Sequence, residues 1–550
     1  MKISYPRKQG ELVDSSEIEL LFKWAEQVGI QINPKLQYPV KYPPGYFGMK
    51  TQLQIPPSET LITVPNNALL STQIAKTPEL SEIYESHPDL FLDSTSTTSV
   101  DYLMITYLLL EFSKGPSSYW YPYLNSLPKN PENLTDWKEI ELIELQDSDV
   151  VTDVLDRQAR YEIWIDTLIS VLQKYPEKFG GTINVEKVHW SWKIVSTRAF
   201  GKCIPYSSLI PVADLINHDN VLTNYYYGTD DDLPPDLALG FDIRDTDSDS
   251  DEDLYEDPEP ILLNYQNLHK INFSAYGEQL DEEKTNISKK ILSEATIKDA
   301  NRFVLDMNFS ESLSISQITE DPNKRFRMVT GKNERFEGGA EILISYGNYS
   351  NRNLLMSYGF ANKINKYNYA RIKIPLRNLL TEQQWAKMEE TYSSEALVAF
   401  KIKKSKICDD LLSVLRCLLW DINKDTPMAF FNPTSIENEE IIFQQAISIV
   451  RNCLDEFPTT LDEDLGILNA PKSHRHYFAL IYRIGVKDCL QSQLSLLRMA
   501  SLILRKIKSG EEFLDAITSI QQCEEVLNVS NRQKMIEYLS SYLGYLKVTK

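Results

Sequence analysis

The chain has 550 residues, of which 42% are hydrophobic and 25% charged, and its formal net charge is −21. This composition is typical of globular proteins, and the length fits two or three domains. Because so acidic a surface repels phosphate backbones, it disfavours nucleic acid as a direct ligand and favours a basic protein partner.

The elements predicted in chain order mix helices with short strands. An amphipathic helix is predicted over Ile18–Ile30, and Pro- and Gly-punctuated β-prone runs follow between Pro43 and Pro65. Helical periodicity then dominates from about Ser71 to Trp192, and the chain is again mostly helical after Asn365. The pattern therefore predicts an α+β fold with a helical C-terminal part.

Cysteine usage and the N-terminus indicate the compartment. None of the six cysteines forms a C-x-x-C pair, which disfavours a zinc framework or a disulfide scaffold and fits a reducing compartment. We expect no secretory signal, and apolar runs such as Tyr102–Phe112 are too short to span a bilayer. The expected location is the cytoplasm, the nucleus or both, with no membrane partner.

Several common site motifs are missing. The sequence has no Walker-type or dinucleotide-type glycine loop and no G-x-S-x-G elbow. The H-R-H triplet at His474–His476 lies at a predicted helix entry, so no metal site is expected there. The run Asp245–Asp257 holds eight acidic residues in thirteen and predicts a solvated insertion near 228–260. The alternatives are an acidic arm that gathers a basic substrate and a phosphorylation target at its serines.

Three separated segments remain. They are the glycine turn G-Y-F-G-M at Gly45–Met49, the run S-T-R-A-F…L-I-P-V-A-D-L-I-N-H at Ser196–His218, and E-I-L-I-S-Y-G-N-Y-S-N…S-Y-G-F at Glu341–Phe360. The second is a strand-like apolar run that stops at Asn217-His218. In this order the segments resemble the SET-domain methyltransferases, most closely the Rubisco large-subunit methyltransferase type. The stretch S-Y-W-Y-P-Y-L-N-S-L-P at Ser118–Pro128 adds to the resemblance.

The resemblance implies a β-rich SET core interrupted by a helical insertion and followed by a mostly α-helical substrate-binding domain. The implied parts are 1–70, the N-terminal helix and first part of the core; 71–190, the insertion; 191–364, the rest of the core with the acidic stretch; and 365–550, the C-terminal domain.

The resemblance also implies an S-adenosylmethionine site and a catalytic tyrosine, with no metal. Tyr346 would be catalytic. The implied cofactor-binding residues are Tyr46, Phe47, Gly48, Arg198, Asn217, His218, Tyr358 and Phe360. Asn217 would bond the donor, the His218 region would contact its adenine, and Arg198 would hold its carboxylate, although Arg198 could instead form a structural ion pair.

The acceptor would enter an apolar channel lined by Phe200, Ala213 and Asp214, where burial lowers an amine's pKa. Asp214 could equally be a structural bond-maker. A histidine-methylating member of this group has Asn and Trp where this chain has Phe200 and Ala213, so we favour lysine as the acceptor. The resemblance to fungal-type enzymes of this group implies that the lysine belongs to a ribosomal protein or a translation elongation factor.

The alternatives are a protein-histidine methyltransferase, a non-catalytic binding protein on a SET scaffold, and an acidic helical chaperone for ribosomal proteins. Intact Asn217, His218 and Tyr346 argue against a bare scaffold.

Overall fold

The structure is a computed structural model that describes residues 3–43, 45–93, 97–201, 204–229, 323–374, 381–389, 398–419, 433, 435–513, 515–516 and 540. The acidic run Asp245–Asp257 lies outside the described residues. The chain divides into two compact units: the first is Met1–Trp137, Thr152–Asn348 and Leu355–Gly359, and the second is Lys138–Val151, Tyr349–Leu354 and Phe360–Lys550. Lys138–Val151 thus belongs to the second unit, although its sequence position lies inside the predicted insertion.

The strands of the described residues are β1 (Ile3–Tyr5), β2 (Glu11–Leu12), β3 (Gln31–Ile32), β4 (Leu36–Tyr42), β5 (Tyr46–Thr51), β6 (Thr60–Pro65), β7 (Leu70–Ser71), β8 (Ser208–Leu209), β9 (Asn217–His218), β10 (Asn224–Gly228), β11 (Arg325–Val329), β12 (Glu334–Phe336), β13 (Glu341–Ile344), β14 (Tyr369–Ile374) and β15 (Val398–Lys403).

Their helices are α1 (Ser16–Gln27), α2 (Thr72–Ala75), α3 (Ser81–Ser86), α4 (Pro88–Phe91), α5 (Thr97–Ser113), α6 (Tyr121–Ser126), α7 (Glu139–Leu142), α8 (Ser148–Leu172), α9 (Val185–Arg198), α10 (Asn351–Tyr358), α11 (Glu382–Glu389), α12 (Asp409–Leu419), α13 (Ile436–Asp455), α14 (Leu461–Ile467) and α15 (His474–Lys508).

Two sheets organise the first unit. One has the strand order β2-β4-β5-β13-β9 and the other β10-β11-β6-β3. In the first sheet β13 pairs antiparallel with β5, which sets Ile342 opposite Met49, and parallel with β9, which sets Ile344 opposite His218. Strands far apart in sequence are therefore neighbours, and the glycine turn, the Asn-His pair and the E-I-L-I-S-Y-G segment meet in one sheet.

Helices of the insertion complete the core of this unit. Helix α5 is buried from Tyr102 to Glu111, since it carries apolar side chains on every face. It packs against α9, and its Tyr102 stacks on Trp164 of α8 at 4.4 Å between ring centroids. At the N-terminus, the Ser15 hydroxyl caps α1 by accepting from Ile18 N–H. Arg198 is the last residue of helix α9. Because α9 packs against α5, this packing fixes the position of the Arg198 backbone.

The second unit contains the antiparallel strand pair β14–β15 and the helices α11 to α15. Its helix α15 spans 35 residues and packs against α13, α14 and both of these strands. Inside it, the Lys487 ammonium lies 2.6 Å from Asp464 Oδ2, and the Arg483 guanidinium lies 2.8 Å from Asp464 Oδ1. All three side chains are at most 2% exposed, so this is a fully desolvated charge cluster.

Among the described residues, no helix is both long enough and apolar enough to cross a bilayer.

Candidate functional site

The turn into β5 and the start of β13 form a shelf beside β9, made of Phe47, Gly48, Asn217 and Glu341. The Asn217 Nδ2 group donates to the Phe47 carbonyl oxygen at 2.8 Å and to Glu341 Oε1 at 3.0 Å. Both partners accept, so they fix which end of the amide faces them. Asn217 Oδ1 therefore points away from them as an acceptor on the shelf.

Gly48 is required by this close approach rather than by its backbone angles. A Cβ at Gly48 would lie 2.5 Å from Glu341 Oε1, 2.8 Å from Asn217 Nδ2 and 3.2 Å from Tyr42 Cε2. Any side chain at this position would displace the Glu341 carboxylate and the Asn217 amide from their present positions. The preceding Phe47 is 45% exposed, so this residue lies at an open edge of the shelf.

His218 lies beside the shelf and holds the backbone of Tyr346. Its Nδ1 is 2.9 Å from Tyr346 N and 3.2 Å from the Ile344 carbonyl oxygen. Because a backbone N–H can only donate, Nδ1 accepts that bond in the neutral imidazole and the ring proton lies on Nε2. Burial lowers the pKa of His218 to about 4, so the ring is uncharged at neutral pH.

The Tyr346 phenol is oriented from both sides. Its hydroxyl donates to the Ile216 carbonyl oxygen at 2.9 Å, and its ring lies 5.0 Å from that of His218 and 5.1 Å from that of Tyr358. Burial raises the pKa of Tyr346 to about 12, against a weaker opposing effect of Arg198. The phenol therefore keeps its proton at neutral pH and acts as a hydrogen-bonding group, not as a base.

Arg198 is bonded within the protein. Its Nη1 donates to the Asp214 carbonyl oxygen at 2.8 Å and to Asp214 Oδ2 at 3.1 Å, and Tyr123 O–H donates to the same Oδ2 at 2.8 Å. Burial raises the pKa of Asp214, while Arg198 and Tyr123 oppose that rise. This geometry is the ion pair kept as the alternative for Arg198, and the carboxylate-holding role stays a prediction. Asp214 Oδ1 is buried without a hydrogen-bond partner. The role of Asp214 in lining the acceptor channel also stays a prediction.

The run that carries Asp214 is not the continuous strand that its apolar residues suggest. Val212 has φ 72° and ψ −42°, and a 3-10 turn over Ala213–Leu215 separates β8 from the two-residue β9. A β-branched residue in this region costs about 1–3 kcal/mol and occurs where the surrounding structure enforces it. The turn directs the Asp214 and Ile216 carbonyls towards Arg198 and Tyr346.

The remaining predicted residues lie in different places. Ala213 is fully buried, and Phe200 meets the rings of Tyr225 and Phe326 edge-on at 5.1 and 5.4 Å. Tyr46 contributes through its side chain, since its hydroxyl donates to Glu341 Oε2 at 2.9 Å. Phe360 belongs to the second compact unit, so its predicted cofactor role stays a prediction.

Sequence reasoning missed three residues of this cluster. Tyr123 lies inside the Y-W-Y-P-Y-L stretch that carries the resemblance, and Glu341 opens E-I-L-I-S-Y-G, so both stood in quoted motifs without a role. Lys8, whose ammonium contacts Glu341 Oε2 and the Tyr46 hydroxyl, had no sequence signal. Among the described residues, no group of three or more His, Cys, Asp or Glu side chains could hold a metal ion.

Comparison with solved structures identifies the fold. The SET domain of LSMT bound to lysine and AdoHcy aligns with a TM-score of 0.55 and 15% identity, covering 92% of this chain and 99% of that one. Rubisco LSMT bound to AdoMet aligns with a TM-score of 0.53 and 16% identity, covering 92% of this chain and 100% of that one. The fold is SET-like. This confirms the predicted α+β class with its helical C-terminal part.

Sequence comparisons with the SET-like chain give two further findings. Residues 370–490 match the family model described as Rubisco LSMT substrate-binding. Actin-histidine N-methyltransferases of Otolemur garnettii and Homo sapiens are 26% and 25% identical over 230 residues, which is 40% of this chain and 37% of each relative. That of Xenopus tropicalis is 26% identical over 211 residues, 36% of this chain and 35% of the relative. The alignments thus span little more than a third of the relatives' length.

Proposed function

We propose that this protein is an S-adenosylmethionine-dependent methyltransferase acting on a side-chain nitrogen of another protein. One observation carries the proposal: β5, β9 and β13 bring Gly48, Asn217-His218 and the segment leading to Tyr346 into one sheet. Three motifs separated by more than a hundred residues each thus meet at a shelf and a partly buried phenol. The SET-like fold and its likeness to a structure bound to AdoMet support this reading.

The residues fit the proposed donor. Asn217 Oδ1 and the Phe47 carbonyl oxygen offer acceptors for an ammonium group, and Gly48 lets the Asn217 amide and the Glu341 carboxylate lie close against β5. The nearby aromatic rings of Tyr346 and Tyr358 suit a sulfonium cation. When bound, the donor supplies an electrophilic methyl group on sulfur. Among the protein's residues, Asn217 and Phe47 would bind it, and Tyr346 would orient the acceptor nitrogen.

The protonation of Tyr346 limits how the reaction can proceed. A neutral nitrogen lone pair forms the new bond to the methyl carbon, the carbon–sulfur bond breaks, and the positive charge passes from sulfur to nitrogen. The acceptor must therefore lose its proton before attack, and a phenol with a pKa near 12 does not remove it. The role left to Tyr346 is positional: its proton is held by the Ile216 carbonyl, and its oxygen can accept from the incoming amine.

Lysine is our first choice of acceptor. The support is Phe200 and Ala213, which differ from the polar and bulky residues of a histidine-methylating member of the resembled group and offer an apolar wall. Histidine is the second candidate, because the sequence relatives are actin-histidine N-methyltransferases.

We further propose that the substrate is a basic protein and that the C-terminal unit docks it. The net charge of −21 would attract a basic surface, and residues 370–490 match a substrate-binding family model. A ribosomal protein or translation elongation factor in the cytoplasm or nucleus remains our proposal for its identity.

Calorimetry and labelled transfer test the methyltransferase proposal. Wild type is titrated with S-adenosylmethionine and then incubated with methyl-labelled donor and fractionated lysate, beside Tyr346→Phe. Removing one preorganised hydrogen-bonding group should lower kcat by about 10²–10³-fold. Donor Kd should change little, because no donor contact is lost. Unchanged turnover in Tyr346→Phe would remove this residue from the reaction, and no donor binding by wild type would favour a non-catalytic scaffold.

The pH–rate profile separates the two acceptors. At pH 7 a free lysine is neutral in only about one molecule in 2,500, so its rate should rise about tenfold per pH unit between pH 7 and 9. A histidine with a pKa near 6.5 is already mostly neutral, so its rate should rise less than about twofold. Mass spectrometry of the labelled fragment then locates the methyl group.

A further inference from the structure

Lys8 begins a chain of polar contacts that ends on the shelf amide. Its ammonium contacts Glu341 Oε2 and the Tyr46 hydroxyl and lies 5.1 and 5.2 Å from the ring centroids of Tyr42 and Tyr46. Tyr46 O–H donates to Glu341 Oε2 at 2.9 Å, and Glu341 Oε1 accepts from Asn217. The two oxygens of one carboxylate thus join the N-terminal segment to the shelf.

Glu341 is the central link because it is buried and charged. Its side chain is 2% exposed, whereas that of Lys8 is 44% exposed. A buried carboxylate without a nearby cation is strongly unfavourable, and the Lys8 ammonium supplies that cation. An ionised Glu341 carboxylate can only accept hydrogen bonds. An acceptor there, together with the Phe47 carbonyl, is what turns the Asn217 amide so that Oδ1 faces outward.

The backbone holds Lys8 at this position. Strand β1 runs parallel to β12, with Tyr5 opposite Phe336, and Lys8 N–H donates to the Gly339 carbonyl oxygen at 3.0 Å. The backbone of Lys8 is thus hydrogen-bonded to Gly339, which is two residues before Glu341. The ammonium reaches the carboxylate from a fixed backbone, so the contact is not a chance meeting of two exposed side chains.

We infer that Lys8 and Glu341 are positioning residues for the methyl donor: they set the orientation of the Asn217 amide that would receive the donor's ammonium. The inference rests on the proposed function and extends the donor site to the N-terminal segment, far in sequence from the motifs. Neither residue touches the reacting atoms, so both act on donor affinity and not on the transfer step.

The test compares Lys8→Met with Lys35→Met. Lys35 is paired with Glu59 at 3.1 Å in the same unit and is partly exposed, so both changes remove one cation and one ion pair while keeping a similar stem. S-adenosylmethionine Kd is measured by calorimetry, with kcat at saturating donor and the KM for acceptor protein. Lys8→Met should raise donor Kd about tenfold, the effect of one charged hydrogen-bonding partner. Lys35→Met should leave it within twofold.

Glu341→Gln gives a second reading. Its amide oxygen can still accept from Asn217, but its NH₂ would then face the Lys8 ammonium, which can only donate, so donor Kd should rise about tenfold. Lys8→Arg, which keeps the charge, should recover most of the loss seen in Lys8→Met. In every variant kcat at saturating donor should remain within about threefold of wild type.

The outcomes separate this inference from the proposed function. No donor binding by wild type would remove both. Binding by wild type with unchanged donor Kd in Lys8→Met and Glu341→Gln would overturn the inference alone. An equal loss in Lys35→Met would trace the effect to overall charge and would also overturn it. If Glu341→Gln does not fold, the exposed Lys8→Met decides the question by itself.

Discussion

Replacing Gly48 with alanine tests the shelf geometry directly. A Cβ there would lie 2.5 Å from Glu341 Oε1, about 0.9 Å short of an ordinary contact of 3.4 Å, and 2.8 Å from Asn217 Nδ2. The carboxylate must retreat, which lengthens a 3.0 Å hydrogen bond beyond the usual range. Overpacking costs about 1–3 kcal/mol, and the weakened charged hydrogen bond adds about 1.5 kcal/mol or more.

Gly48→Ala should therefore lower Tm by several degrees and raise donor Kd at least about tenfold. The assays are thermal unfolding and calorimetry with S-adenosylmethionine. Gly466→Ala is the control, because nothing lies within 4 Å of its added Cβ and it sits inside α14, where alanine should stabilise by about 0.5–1 kcal/mol. Donor Kd within twofold of wild type in Gly48→Ala would refute the argument that this glycine makes room for the amide–carboxylate contact.

Three further outcomes are expected. Burial lowers the pKa of His218 from about 6.5 in the unfolded chain to about 4 in the folded protein, so only the unfolded chain takes up a proton between these values and stability falls as the pH drops from about 6.5 to 4. In urea unfolding across this pH range, wild type should lose about 3 kcal/mol more stability than His218→Gln. Equal losses would contradict the burial argument. Lys487→Met should destabilise by about 3–5 kcal/mol, whereas Lys472→Met, at a side chain 76% exposed, should stay within about 0.5 kcal/mol; equal denaturant midpoints would be the opposing result. Tyr123→Phe removes the 2.8 Å bond to Asp214 and should lower the free energy of unfolding by about 1–3 kcal/mol, and a Tm identical to wild type would show that this bond contributes nothing.

The mixture of helices and strands could be predicted because it depends on local periodicity and turn residues, whereas the significance of the motif order came from a resemblance to a known family. The Asn217-His218 pair and the E-I-L-I-S-Y-G segment could be placed at strand ends from pattern alone. Which strands become neighbours depends on sheet register, and no local pattern carries the pairing of Ile344 with His218.

The side-chain contacts that depend on sheet register could therefore not be predicted from the sequence. Lys8 and Glu341 are 333 residues apart, and neither is unusual in its own neighbourhood. Arg198 was expected either to hold the donor's carboxylate or to form a structural ion pair, and both roles use its guanidinium group. Only the structure shows that Asp214 Oδ2 lies 3.1 Å from Arg198 Nη1. The positive φ of Val212 was also unpredictable, because β-branched residues in apolar runs ordinarily favour strands.

The pairing order of the two sheets has a consequence for synthesis on the ribosome. In one sheet β13 lies between β5 and β9, and in the other β11 lies between β10 and β6. Both inserted strands come from residues after 324, so a nascent chain that has emerged only to Gly228 carries β5 and β6 with open hydrogen-bonding edges. Such a fragment should aggregate or recruit holding chaperones. Truncations ending before β11 are therefore unsuitable for producing the N-terminal half alone.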